Sequence, residues 1–366
     1  MIYLDYQATT PLAPEAFDAM VPLLRDQFAN PHSAHRPGRA AAAAVEVARD
    51  RVLSAMGMPA GRLIFTSGAT EALNIAIYGA ARAQARHRIV AIATEHAAVR
   101  DTALAQDGFE TTLLPVGPDG IVDIDAARAA IGTDVALVAA MLVNNEIGVI
   151  QPVDALAAMA HDAGALFLCD AVQGFGRVPL PIAADMIALS GHKVHGPKGI
   201  GALWLRDGLD LPRLLHGGGQ EGGLRSGTLS PALCAGFGVA AHLLTQRAEE
   251  DAVHVEALWR RALDLFAGWT LNGSAAARYH GNLNLRREGL DAARLLSECR
   301  DIAFSLGSAC ASGSGRPSHV LQAIALSDRQ AKGSVRIGFG RYTSTAQLED
   351  AARQLNQAAA AQGLPA

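Results

Sequence analysis

The sequence lacks the features expected of a membrane-bound or secreted protein. Met1 leads directly into IYLDYQATT, without the basic segment and the apolar segment of a signal peptide. The longest apolar run, residues 135–143, is far too short to span a bilayer. Because 31 Lys and Arg residues nearly balance 35 Asp and Glu residues, the charge does not favour binding to nucleic acid or to an anionic membrane. We therefore expect a cytoplasmic protein with a small-molecule substrate.

Cysteine is also scarce, with four residues in the whole chain. None of them has CxxC spacing or the Cys/His spacing of a metal site, so we expect no bound metal. A cytoplasmic chain would keep these thiols reduced, and each is therefore interpreted singly. Cys169 and Cys234 lie in apolar segments and are expected to pack in the core.

The rest of the composition is that of a large globular protein. Half of the 366 residues are hydrophobic, so the chain is long enough for two domains with a sizeable core. From residue 62 onward, apolar strands alternate with helices, which predicts a parallel sheet with right-handed crossovers. The predicted strands cover residues 63–65, 88–93, 135–143, 186–189 and 200–205, and another strand ends at Asp170.

Polar residues follow several of these strands at the point where each strand ends. The carboxyl ends of parallel strands share one edge of a sheet, which is where such folds bind ligands. Each polar group alone is explained as a helix cap or a turn. Their common position nevertheless favours a ligand site built from Thr66 to Thr70, His96, Asn145, Asp170 and Ser190 to Lys193.

Lys193 and Asp170 indicate which ligand this edge would bind. A lysine among small residues that faces a carboxylate suits pyridoxal 5'-phosphate (PLP), which takes a Schiff-base lysine and an acidic partner for its ring nitrogen. Ser67 to Thr70 opens a helix, and the free N–H groups at a helix N-terminus hold a phosphate. The residues alone leave an alternative open, namely a surface lysine and an aspartate that only caps a strand.

Two further residues in the second half of the chain suit substrate chemistry. The segment LGSACASGSG, residues 306–315, consists of small residues with Cys310 as its only reactive group. An accessible thiol acts as a nucleophile when its pKa falls. Arg336, in the predicted strand 334–339, could clamp a substrate carboxylate through paired hydrogen bonds, and a surface ion pair is the plain alternative.

Together these motifs resemble those of the cysteine desulfurases of the NifS/IscS type, within the class V aminotransferase group of fold-type I PLP enzymes. The resemblance covers nearly the whole chain in the expected order, and GSAC at Cys310 is its most specific motif. The matching motifs are LDYQATTP, ANPHSAH, FTSGATE, TEHAAV, VNNEIGVIQP, CDAVQGFG, SGHKVHGPKGIGAL, GGGQEGGLRSGTL, GSACASG and SVRIGFGRYT.

The resemblance implies an α/β fold of the PLP-dependent transferase type I. A large PLP-binding domain is expected over residues 15–252, with a mostly parallel seven-stranded sheet between helices. A smaller α+β domain is expected from residues 1–14 and 253–366, and it would carry the Cys310 loop.

The resemblance also implies a role for each matching site residue. Lys193 would hold PLP as a Schiff base and move the Cα proton, and His96 would stack on the ring and act as acid and base. Cys310 would take the sulfur of L-cysteine as a persulfide, and Arg336 with Asn30 would bind the cysteine carboxylate. The implied cofactor-binding residues are Ala69, Thr70, Asn145, Asp170, Gln173, Ser190, Gly191, His192 and, from the other subunit of a homodimer, Thr228.

The implied reaction gives L-alanine and passes the sulfur to an acceptor for iron–sulfur cluster assembly, or for thio-cofactor synthesis or tRNA thiolation. Two alternatives stay open. Selenocysteine lyases and aminotransferases of the same fold have residues equivalent to Lys193 and Asp170 without requiring GSAC, and a catalytically silent sulfur carrier would not need Lys193. The sequence departs from the usual pattern at Gln7, where Ser or Ala is common and little effect is expected. It ends at Ala366, short of the longer tail that helps housekeeping members contact the iron–sulfur scaffold, so the acceptor stays open.

Overall fold

The structure is a computed structural model that describes residues 1–307 and 318–363. The strands in chain order are β1 (Ile2–Tyr3), β2 (Gly61–Thr66), β3 (Arg88–Ile92), β4 (Glu110–Leu114), β5 (Val135–Met141), β6 (Leu166–Asp170), β7 (Met186–Ser190), β8 (Gly201–Arg206), β9 (Thr270–Leu271), β10 (Asn282–Arg286), β11 (Ile302–Ala303), β12 (Ser305–Leu306) and β13 (Ser334–Gly338).

Helices flank these strands. They are α1 (Pro14–Arg25), α2 (Arg36–Met56), α3 (Ala69–Ala83), α4 (Ala97–Leu104), α5 (Ile124–Ala130), α6 (Val153–Asp162), α7 (Pro231–Gln246), α8 (Ala248–Leu265), α9 (Ala292–Glu298), α10 (His319–Ala323), α11 (Asp328–Lys332) and α12 (Thr345–Ala361). Within the described ranges, no helix combines the length and the apolar character needed to cross a lipid bilayer.

The central sheet has seven strands in the order β2-β8-β7-β6-β5-β3-β4. Strands β3 to β7 pair in parallel, whereas β8 is antiparallel to both of its neighbours. The expected mostly parallel seven-stranded sheet is therefore confirmed. The strand that the apolar pattern did not predict is β4, because it lies at the sheet edge and four of its five residues keep contact with solvent.

Both faces of this sheet are covered, as buried parallel strands require. Along β5, Val138 and Ala140 point into an apolar cluster that includes α2, while Leu137 and Ala139 point into a cluster that includes α3. All seven residues of β5 are buried, which explains why its sequence is a continuous apolar run rather than an alternating one. Cys169 and Cys234 are buried in the first of these clusters, as expected.

The C-terminal part of the chain forms a second set of strands. β12, β13, β10 and β9 make an antiparallel sheet, and β1 pairs in parallel with β11. Leu4 joins Trp259, Phe339 and Leu355 in a separate apolar cluster, so the N-terminal arm packs with the C-terminal part of the chain. This separate core supports the expected division into two domains, whose limits remain a prediction.

Candidate active site

A cavity of about 480 Å³ lies at the edge of the sheet where the parallel strands end, and we call it the strand-edge cavity. Parallel strands deliver their carboxyl ends to one edge, and β8, which is antiparallel, begins there and adds residues 198–200. The structure brings ten of the expected site residues to its wall, namely Ala69, Thr70, His96, Asn145, Asp170, Gln173, Ser190, His192, Lys193 and Arg336.

Three of the expected site residues do not line this cavity, and a fourth lies outside the part of the chain that the structure describes. Gly191 is buried between Ser190 and His192. Asn30 is exposed, and its side chain accepts a hydrogen bond from the backbone N–H of His32 at 2.9 Å. Thr228 is exposed as well, and it was expected to act from the other subunit. Cys310 lies outside the described residues.

One part of the cavity wall is built to hold an anion. Helix α3 begins after Gly68, and no side chain caps its first N–H groups. Free N–H groups and the helix dipole favour a negatively charged group at that position. Ser190, His192 and Lys198 line the same cavity and add a hydroxyl, an imidazole and a positive charge.

His192 is a neutral member of this group. Burial, together with the charges of Lys193 and Lys198, lowers the pKa of His192 to about 4. Its Nδ1 lies 3.1 Å from Thr9 Oγ1, a residue of the N-terminal arm. At neutral pH the imidazole therefore acts as a hydrogen-bonding group and adds no positive charge.

Asp170 ends β6 and is 5% exposed. Its Oδ1 accepts a hydrogen bond from the N–H of Val172 at 3.0 Å. Burial raises the pKa of Asp170, while the Val172 N–H and the charges of His96 and Lys193 oppose that change. Among the residues that the structure describes, Asp170 forms no ion pair with lysine or arginine, so a cationic ring nitrogen would complement it.

Lys193 ends a short 3₁₀ turn that follows β7. Its Nζ donates to the carbonyl oxygens of Gln7 and of Ala8, the latter at 2.9 Å. Gln173 Nε2 also donates to the Gln7 carbonyl, at 2.9 Å. The N-terminal arm therefore forms part of the site, although none of its residues was expected there. The LDYQATTP motif was a signal, but its contacts with Lys193 span 185 residues or more.

Arg336, on β13, is almost completely buried in the cavity wall. Its guanidinium pairs with Asp5 at 2.8 Å and donates to the Asn145 carbonyl at 3.1 Å and to Ser305 Oγ at 3.2 Å. Burial and these partners fix the guanidinium in one orientation. Asp5 is a second residue of the arm whose contribution the sequence did not reveal.

A second cavity of about 330 Å³ also includes Lys193 in its wall, and we call it the second cavity. Its acidic residues already have partners within the fold. Asp251 pairs with Arg341 at 2.6 Å, and Glu256 lies 2.6 Å from His280 Nδ1. The two acidic side chains of the second cavity are therefore compensated by partners within the chain.

The chain matches one family model over most of its length, namely aminotransferase class-V, which covers residues 2–350. It is 41% identical over 366 aligned residues to a protein named cysteine desulfurase IscS from Rickettsia bellii (strain OSU 85-389). That alignment covers 96% of this chain and 89% of the relative.

Solved structures resemble the fold over nearly the whole chain. One described as a NifS-like protein has a TM-score of 0.90 at 29% sequence identity, with 97% of this chain and 98% of that chain covered. Another, described as SspA in complex with cysteine, has a TM-score of 0.83 at 34% identity, with 94% and 100% covered.

Proposed function

The chain belongs to the class-V aminotransferase family, and we propose that it is a cysteine desulfurase that uses PLP to convert L-cysteine into L-alanine. The observation that carries this proposal is the strand-edge cavity, in which Lys193 lies together with the buried Asp170, whose carboxylate forms no ion pair with Lys or Arg among the described residues. The relative from Rickettsia bellii that bears this name matches the chain over 96% of its length.

The residues of the strand-edge cavity fit PLP. Lys193 would bind the cofactor covalently, Asp170 would pair with its ring nitrogen, and Gln173 would donate to its ring hydroxyl. When bound, PLP supplies an electron sink that stabilises negative charge at the Cα of the substrate. The residues that would hold its phosphate are Ala69, Thr70, Ser190 and His192, with Gly191 between the last two and Thr228 from a second subunit.

His96 is suited to moving a proton at one defined atom. Its Nδ1 accepts a hydrogen bond from the backbone N–H of Ala98 at 3.0 Å and therefore carries no hydrogen. A neutral imidazole in this state has its proton on Nε2. We therefore assign acid–base chemistry to Nε2 of His96, and the binding of the substrate carboxylate to Arg336 with Asn30. Asn145 would lie near the ring oxygen of the cofactor.

We assign the attack on the substrate sulfur to Cys310. In the overall reaction the C–S bond of L-cysteine breaks, a proton takes the place of the sulfur, and a new S–S bond joins that sulfur to Cys310. L-cysteine and the enzyme thiol thus give L-alanine and an enzyme persulfide, with atoms and electrons balanced.

The described residues on both sides of the Cys310 segment support this assignment. On one side, Ser305 Oγ accepts a hydrogen bond from Arg336. On the other side, Ser318 Oγ donates to the Glu146 carboxylate at 2.5 Å. Arg336 lines the strand-edge cavity, and Glu146 directly follows Asn145, which also lines it. The described residues that flank this segment thus contact Arg336, which lines the cavity, and Glu146, which adjoins a lining residue.

We further propose a homodimer that works in the cytoplasm and passes sulfur to an acceptor protein for iron–sulfur cluster assembly or thiolation. Several large apolar side chains of α1 and the segment after it are exposed, which supports a protein contact in this region. They are Phe17, Leu24 and Phe28, the last of which is 82% exposed.

The experiment that tests this function mixes the purified PLP-loaded protein with L-cysteine alone. We expect L-alanine to form and Cys310 to gain one sulfur atom, measured by mass spectrometry. Cys310→Ala should keep PLP and lose sulfide release in the presence of a thiol reductant. Cys299→Ala, at a buried thiol that does not line the strand-edge cavity, should keep the activity. Normal sulfide release by Cys310→Ala, or equal turnover of a selenocysteine substrate without any persulfide, would contradict the proposal.

A further inference from the structure

The side chain of Gln7 is fixed at both ends of its amide group. Only 2% of the residue is exposed. Its Nε2 donates to the Gly281 carbonyl at 2.8 Å, while its Oε1 is buried without a hydrogen-bond partner. That oxygen occupies the space in which a side chain at Gly338 would begin. A Cβ at position 338 would overlap Oε1 and stand only 2.7 Å from Gln7 Cδ.

The fit between Gln7 and Gly338 therefore depends on the absence of a side chain at position 338. Gly338 is the last residue of β13, and its N–H donates to the Leu4 carbonyl at 2.8 Å. Its backbone is thus held beside the arm and cannot move away without losing this bond. The buried Gln7 side chain therefore packs directly against the position 338 backbone.

The backbone of the same residue orients two side chains of the strand-edge cavity. The Gln7 carbonyl accepts from Lys193 Nζ and from Gln173 Nε2, and the Ala8 carbonyl accepts from Lys193 Nζ. The other end of the Gln173 amide accepts from Arg177 at 2.7 Å. The Gln7 peptide therefore contributes to the orientation of the Lys193 amine and of the Gln173 amide.

We propose that the Gln7 side chain is a positioning residue for Lys193. Its contacts with Gly281 and Gly338 hold the peptide at residues 7–8 so that two carbonyl oxygens orient the Lys193 amine. This inference rests on the proposed role of Lys193 in binding PLP. It replaces the sequence-based expectation that glutamine at position 7 has little effect.

The physical consequence is a change in the basicity of one amine. Two carbonyl oxygens that accept from an amine stabilise its protonated form, because hydrogen bonds to a charged donor are stronger than those to a neutral one. Loss of the Gln7 tether should let the carbonyl oxygens move and should make the Lys193 amine less basic.

The test measures the reactivity of that amine in the apoprotein. The chain contains only three lysines, Lys193, Lys198 and Lys332, so an amine-directed reagent reports each of them separately by mass spectrometry. We expect Gln7→Ala to label at Lys193 at least about threefold faster than the unmodified sequence at pH 8. The exposed Lys332 serves as the internal reference.

A double substitution tests the contact between positions 7 and 338. Gly338→Ala should lower the melting temperature and change Lys193 labelling, because its methyl group displaces the Gln7 amide. In Gln7→Ala/Gly338→Ala the side-chain amide is gone and only the Tyr6 backbone N, 3.0 Å from that Cβ, remains of its three nearest neighbours. The second substitution should therefore cost less than it does alone. If Gly338→Ala fails to fold, recovery of folding in the double variant would itself support the inference.

Two results would overturn this inference. One is Lys193 labelling in Gln7→Ala that matches the unmodified protein, and the other is additive effects of Gln7→Ala and Gly338→Ala on the melting temperature. Because the labelling uses apoprotein, it is independent of the proposed function. A protein that binds PLP on Lys193 but labels unchanged in the Gln7 variants would contradict the inference alone.

Discussion

The strand-edge cavity and the second cavity share Lys193 but differ in how their charges are compensated. In the second cavity, Asp251 is paired with Arg341, and Arg278 donates to carbonyl oxygens, including that of Ser274 at 2.6 Å. In the strand-edge cavity, Asp170 has no cationic partner within ion-pair distance among the described residues, and the N–H groups that begin α3 are uncapped by any side chain.

This difference indicates which of the two cavities is built for a ligand. Burial of a carboxylate without an ion pair, or of open N–H groups, costs stability, so such groups suit a site in which a bound molecule completes them. The volumes of the two cavities, about 480 and 330 Å³, do not by themselves show which cavity binds a ligand. Measurements of activity, of stability and of the response to pH should therefore separate the two cavities.

The largest effect is expected at the residue that both cavities share. Lys193→Ala removes the covalent attachment of PLP and the group that moves the Cα proton. Desulfurase activity should fall by more than the roughly 10²–10⁴-fold that one general acid–base group contributes. The absorbance of the bound cofactor should be lost as well. Lys332→Ala, at an exposed helix end, is the matched control, and retention of both properties by Lys193→Ala would exclude the assignment.

The two aspartates should separate the two cavities. Asp170→Asn removes the partner of the ring nitrogen and should lower kcat/KM by at least about 10²-fold, the scale of one electrostatic group in an active site. The apoprotein should be no less stable, because burial disfavours the Asp170 carboxylate. Kinetic assays and urea unfolding of the same preparations measure both effects.

Asp251→Asn is expected to show the reverse pattern. It leaves the buried Arg341 guanidinium without its ion pair and should lower the free energy of unfolding by about 1–3 kcal/mol. The activity at 25 °C should not change. If Asp251→Asn abolished activity while Asp170→Asn kept it, the comparison between the cavities would be reversed.

A smaller effect is expected for the substrate clamp. Arg336→Lys keeps the charge but loses the paired geometry, so the KM for L-cysteine should rise about 10–100-fold, which corresponds to the loss of one or two charge-assisted hydrogen bonds. The kcat should change less than the KM. Arg341→Lys in the second cavity makes the same chemical change and should leave the KM unchanged. Equal KM values for the unmodified protein and Arg336→Lys would remove Arg336 from the substrate site.

The smallest effect concerns His195, which lines the second cavity. Burial lowers the pKa of His195 to about 4, with Arg341 and Arg177 acting in the same direction and Asp251 and the Pro11 carbonyl opposing them. In the unfolded chain a histidine titrates near 6.5, so the unfolded state binds more protons between these two pH values. The contribution of His195 to stability is therefore complete above pH 6.5 and is lost as the pH falls toward 4.

His195→Asn removes this titration and retains the backbone conformation. His195 has a φ of 66°, which asparagine tolerates, and the Asn amide can donate to the Pro11 carbonyl as the ring nitrogen does at 3.0 Å. Between pH 6.5 and pH 4.5 the unfolding free energy of His195→Asn should fall less steeply than that of the unmodified protein, by at most about 3 kcal/mol. Parallel pH profiles of the two proteins would show that folding does not change the pKa of His195.

The sequence predicted the fold well where local pattern dominates. The strands that end at Asp170 and Ser190 are buried on both faces, so their apolar runs and polar ends are visible in the sequence. The edge strand β4 is partly exposed and carries no such run.

The site was predictable only in part, for a similar reason. Asn145, Asp170 and Lys193 lie at or near the ends of apolar strands, so the local sequence pattern predicts them. Asp5 contacts Arg336, which is 331 positions away in the sequence. The contact between Gln7 and Gly338 likewise depends on the pairing of the N-terminal arm with β13. No local pattern encodes such a contact, because tertiary packing alone creates it.

The most direct test of the strand-edge cavity is to identify the atom that holds the cofactor. The PLP-loaded protein is treated with borohydride, which locks an imine between PLP and a lysine, and the modified peptide is identified by mass spectrometry. Because the chain has only two other lysines, Lys198 and Lys332, the modified peptide identifies the lysine without ambiguity. We predict that the pyridoxyl group is found on Lys193 and is much reduced in Asp170→Asn. A pyridoxyl group on Lys198 or Lys332, or none at all, would contradict the account.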